Sequence, residues 1–74
     1  MQLKRIKVGN WYETNAGTGI CEKVGGYNPP VVTVRILWPI PFGIRLVKPR
    51  DVQRELDAEE AAQLNAEIER RRSS

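Results

Sequence analysis

Prolines fence a single run of alternating residues in the middle of this chain. Pro29 and Pro30 precede the run and Pro39 and Pro41 follow it. Between them, Val31–Trp38 places Val32, Val34, Ile36 and Trp38 on one face and Thr33 and Arg35 on the other. Proline has no N–H to give to a ladder and is kept out of sheet centres. A period of two is that of a strand with one face buried. A strand needs partners, and the flanking sequence offers them in short pieces: residues 3–13, 18–24 and Gly43–Val47 read as further β segments. Turn chemistry at Asn15-Ala16-Gly17 and across residues 25–30 separates them. A short turn at 49–52 and a closing strand at 53–56 bring the count to five. In the fourth segment Ile44 and Leu46 are predicted to join Val32, Val34 and Ile36 in the core, with Arg45 facing outward.

After residue 56 the period changes. Asp57 and Glu60 form an Asp-x-x-Glu variant of a capping box, Leu56 and Ala61 stand at staple positions, and Arg70, Arg71 and Arg72 suit the negative end of a helix dipole. The pattern predicts a helix over 57–72, closing a single domain whose β part spans 1–56. Its apolar stripe (Ala61, Leu64, Ile68) is thin, and isolated helices of this length are marginal in water. It must therefore dock on the sheet or on a second copy, so homo-oligomerisation through this helix is one expectation. At 74 residues the chain buries only about 60% of its unfolded surface, enough for one small core and no deep pocket.

The residue inventory narrows the chemistry. There is no histidine, serine occurs only at 73 and 74, and the single Cys21 stands beside Glu22, which disfavours a thiolate. These absences predict a non-catalytic chain with no metal site and no cofactor. One cysteine closes no intramolecular disulfide, the start has no secretory pattern, and the apolar stretch 36–44 is broken by Pro39, Pro41 and Gly43. A cytoplasmic location without membrane association is the expectation. Gly17 and Gly19 flank Thr18 without a helix after them, so they read as turn glycines rather than a phosphate cradle.

The segments Val8-Gly9-x-Trp11-Tyr12, Gly17-x-Gly19, Val34-x-Ile36-Leu37 and Gly43-x-Arg45-Leu46-Val47-x-Pro49 follow the order of a Src-homology-3-like small barrel. The expected fold is thus mainly β, a five-stranded barrel of this kind with a C-terminal helix. Within that architecture, residues 6–54 resemble the Tudor-like RNA polymerase-interacting module of the CarD family and of transcription-repair coupling factors. That resemblance implies an exposed sheet edge and adjoining loops that grip a polymerase subunit. Asn10 stands where that family has Asp, the 27–30 loop differs, and the family's helical DNA-binding domain has no counterpart here. A KOW-type RNA- or ribosome-binding barrel matches the Gly-rich turn nearly as well.

Two surfaces follow as candidates. The segment Trp38-Pro39-Ile40-Pro41-Phe42 is strongly apolar and stiffened by proline, which favours a protein-docking loop built on Trp38, Ile40 and Phe42. The alternative is a nucleic-acid-binding face of Arg35, Arg45, Lys48 and Arg50, consistent with nine Lys and Arg against four acids in residues 1–56, a balance of +5. Residues 57–74 carry −2 and oppose phosphates wherever they lie near that face. A third alternative is a small enzyme whose site forms only across an oligomer axis, similar in barrel size to the plasmid-type dihydrofolate reductases.

Overall fold

The computed structural model describes residues 1–26, 29–39 and 42–73. It is a mixed α/β architecture, a five-stranded antiparallel sheet with one C-terminal helix. The strands are β1 (Trp11–Thr14), β2 (Gly17–Gly25), β3 (Val31–Trp38), β4 (Gly43–Val47) and β5 (Val52–Glu55), in the spatial order β4-β3-β2-β1-β5. The expected closed barrel is not formed, because β4 and β5 stand at opposite edges of the sheet with no ladder between them. A 3₁₀ turn, Pro49–Asp51, carries the chain from one edge to the other. The sheet nevertheless curls round one core. Val47 from β4 and Val52 from β5 belong to the same buried cluster as Ile6, Tyr12, Cys21, Val32, Val34 and Ile36.

The first segment is shorter than its apolar pattern implies. Leu3–Arg5 is a 3₁₀ turn rather than the start of a strand, and Gly9, at φ +93°, redirects the chain before β1. The N-terminal ammonium group donates to the carbonyls of Pro49 (3.0 Å) and Val52 (3.1 Å), so this turn lies beside the 49–51 turn. At the β1–β2 connection, the buried Thr14 hydroxyl donates to the Gly17 carbonyl and accepts from the Ala16 N–H. Both hydrogen bonds satisfy a polar group that would otherwise be costly to bury.

The register of β3 against β4 overturns part of the expected core. Val32 pairs with Val47, Val34 with Arg45 and Ile36 with Gly43, whereas Thr33 pairs with Leu46 and Arg35 with Ile44. Residues directly opposite one another share a face. Val47 and Arg45 therefore lie on the core side, and Ile44 (52% exposed) and Leu46 (71% exposed) face away from it. Arg45 tolerates this position because β4 is an edge. Its guanidinium turns out to the Ile44 carbonyl at 3.0 Å and passes over Gly43, where a Cβ would approach it to 2.8 Å. Ile36 is 4% exposed, so Ile36→Ala is expected to cost about 2–5 kcal/mol in chemical denaturation. Leu46→Ala should stay within about 0.5 kcal/mol, as at most surface sites. Equal costs at the two positions would mean that this register is wrong.

The helix α1 (Ala58–Arg72) begins as its sequence implies. Asp57 caps it by accepting from the Glu60 N–H at 2.8 Å, and the Glu60 carboxylate accepts from the Asp57 N–H at 3.3 Å. It lies over the β1 side of the outer face. Ile68 is buried and Leu64 half-buried, and a cleft of about 380 Å³ beside the helix is lined by Glu13, Thr18, Trp38, Leu56, Leu64 and Glu67, among others. The helix thus docks within its own chain.

Candidate functional site

Each edge of an open sheet leaves backbone groups unpaired, and the two edges here differ in chemistry. On β5, Gln53, Arg54 and Glu55 follow the buried Val52, so that edge is short and charged. Arg54 forms a bidentate pair with Glu60 (2.9 and 2.7 Å) and lies 3.4 Å from Glu13, tying β5 to the helix. These hydrogen bonds hold the Glu60 carboxyl below the usual carboxylate range and raise the Arg54 guanidinium. On β4 the outward residues are instead aliphatic. Ile44 and Leu46 are joined by Phe42, 40% exposed just before the strand.

The outer face around that edge is continuous. The pairings Trp11 with Ile20, Ile20 with Arg35 and Arg35 with Ile44 form one row across β1, β2, β3 and β4. Trp11 and Ile20 are half-buried at the helix end of the row, whereas Ile44 lies exposed at the other. Arg35 is paired with Glu22 at 2.5 Å, which neutralises the middle of the row.

The residues singled out from sequence are not gathered into one loop. Trp38 ends β3 next to a register shift at Thr18–Gly19, and such irregularities re-aim side chains. It faces the helix, with the Arg71 guanidinium 5.0 Å from its ring centroid. Trp38 is half-buried and Ile40 lies outside the described residues, so Phe42 is the member of that trio placed in the open. The shared basic face is corrected as well. Arg35 lies on the outer side of β3 and Arg45 on the inner side of β4, separated by the sheet itself.

Cys21 is 1% exposed within the core, and burial pushes its thiol up, so it packs as a small apolar group. Among the described residues no group of three His, Cys, Asp or Glu side chains could hold a metal ion, and no helix is long and apolar enough to cross a membrane. Ile44 and Leu46 were missed as surface residues because alternation alone assigns them to a core. The sequence signal that speaks against it is Val47, the only other aliphatic of the strand, which stands on the opposite parity. Comparison with protein-family models, curated proteins and solved structures gives no match.

Proposed function

We propose that this chain is a non-catalytic docking module that captures an extended segment of a protein partner along the free edge of β4. The observation that carries this reading is the contrast between the two edges. The β5 edge is charged and tied to the helix, whereas β4 presents Ile44 and Leu46 beside a backbone edge that pairs with no further strand among the described residues. An added strand would hydrogen-bond to that backbone, while its alternate side chains packed on Phe42, Ile44 and Leu46. The strand order, the 3₁₀ link before β5 and the core shared by the two edge strands support a Src-homology-3-like, partly open barrel as the finer description of the fold. The sequence resemblance to polymerase-interacting modules suggests a component of the transcription machinery, RNA polymerase included, as partner.

The test is co-purification of the tagged chain from its own cells after nuclease treatment, followed by reconstitution with the purified partner. Leu46→Asp and Ile44→Asp are each expected to weaken capture at least tenfold, because a well-packed apolar anchor carries about 2 kcal/mol. The unfolding midpoint should barely move, since both side chains are exposed. Amide exchange in β4 should slow when the partner is bound. Undiminished capture by both variants would sink the proposal.

A further inference from the structure

A second surface emerges from the distribution of ion pairs. Among the described residues, Glu13 and Glu60 pair with Arg54, Glu22 with Arg35, Glu67 with Arg70 and Arg71, and Glu69 with Arg72. The helix therefore neutralises much of its own charge. Lys4, Arg5, Lys48 and Arg50 make no ion pair among the described residues, and all four are exposed.

Two parts of the chain far apart in sequence carry these cations, and a backbone contact joins them. The N-terminal ammonium group is bonded to Pro49 and Val52, and the 3₁₀ turn that follows spans only about 6 Å. The turn that carries Lys4 and Arg5 therefore starts from the segment that carries Lys48 and Arg50. Asp51 is the one carboxylate within the second turn; Glu55, at the margin, already accepts from the Tyr12 hydroxyl and the Asn10 amide. Asp51 offsets one of these charges, and the remaining excess of cations concentrates anions.

The same turn carries a cleft of about 340 Å³ lined by Pro29, Pro30, Pro49, Lys48 and Arg50. Three rigid apolar rings and two cations line it together. A ligand that matches both carries apolar groups beside negative charge. We propose that this surface binds single-stranded nucleic acid, with phosphates on Lys48, Arg50 and the Lys4–Arg5 turn and a base inserted between the prolines. A duplex hides its base faces in the stack, and a lipid surface offers anionic headgroups without exposed rings. An unpaired strand offers the ring and the charge together at regular spacing.

Fluorescence anisotropy with the full chain, a labelled 12-nucleotide oligo(dT) or oligo(U), a duplex of the same length and vesicles containing phosphatidylserine tests this. The single strand is expected to bind in a salt-sensitive manner and more tightly than the duplex. Lys48→Ala with Arg50→Ala should weaken that binding at least tenfold at low salt. The same double variant should reduce the log–log salt slope by about 1.4, two contacts at about 0.7 each. Circular dichroism of the double variant checks that it folds. Lys23→Ala removes a cation on the outer face of β2, and Leu46→Ala trims the docking edge without adding charge; both should bind the oligonucleotide as the parent does, which separates this site from the β4 edge. The proposal is overturned by absent oligonucleotide binding, by a duplex bound as tightly as the single strand, by binding confined to vesicles, or by Lys23→Ala matching the double variant.

Discussion

Replacing Gly19 by alanine is expected to unfold the chain at 25 °C. Gly19 is buried in β2, and an added Cβ would stand 1.9 Å from the Arg35 carbonyl oxygen, 2.7 Å from its carbon and 2.9 Å from the Ile36 Cα. All three are backbone atoms of β3, which is held by ladders to β2 on one side and β4 on the other. No side chain can swing away to relieve the clash, so the strands must separate where the register already shifts. Overpacking commonly costs about 1–3 kcal/mol and more where backbone must move, whereas a core of this size supplies only about 3–5 kcal/mol in all. Gly9→Ala is the informative comparison. Gly9 has φ +93° with nothing within 4 Å of the added carbon, so its cost is conformational strain alone, about 1–2 kcal/mol. Denaturation curves showing Gly19→Ala no worse than Gly9→Ala would refute the close approach of β2 and β3.

The second large effect is expected at Tyr12, whose ring is fully buried in the core cluster. Its hydroxyl reaches the margin of the core, accepting from the Lys7 N–H at 2.8 Å and donating to the Glu55 carboxylate at 3.0 Å. Burial, with the Glu55 carboxylate beside it, raises the phenol above its usual range, so it remains a neutral donor at physiological pH. Tyr12→Ala removes the whole ring and should cost about 3–5 kcal/mol, comparable to the total stability. Tyr12→Phe keeps the packing and loses only the hydrogen bonds, a cost of about 1–2 kcal/mol. Thermal unfolding followed by circular dichroism distinguishes the two. Equal losses would show that the polar network, not the ring, holds the N-terminal turn against the sheet.

Much of the local structure was legible because it depends on neighbours in the chain. The β3 bounds follow from prolines on both sides, and the α1 start follows from Asp57 and Glu60, whose reciprocal bonds lie within one turn. The burial of Ile68 was legible for the same reason, since it sits on the one apolar stripe of that helix. The role of Gly19 was only half legible. A glycine next to a turn reads as backbone freedom, but here its missing Cβ is what lets β3 approach.

The sequence by itself determined where β2, β3, β4 and the helix occur, which face of β3 is buried as far as Ile36, and that acids concentrate from residue 57 onward. Each of these is set by periodicity, by proline or by capping groups a few residues apart. Only the tertiary structure decided the rest. In β4 both parities carry aliphatic residues, so alternation cannot choose the inner one; the pairing of Val32 with Val47 does, and it leaves Ile44 and Leu46 on the surface. Closure was likewise undecided, because whether two edge strands meet depends on the curl of the whole sheet. The same holds for charge. Arg35 and Arg45 are near in sequence but lie on opposite faces, whereas the N-terminal segment that carries Lys4 and Arg5 is joined to the segment that carries Lys48 and Arg50, across more than forty residues, by the bond from Met1 to Pro49. A ladder inverts side chains at every step and a folded chain joins distant turns, so surfaces of this kind are properties of register and topology rather than of local sequence.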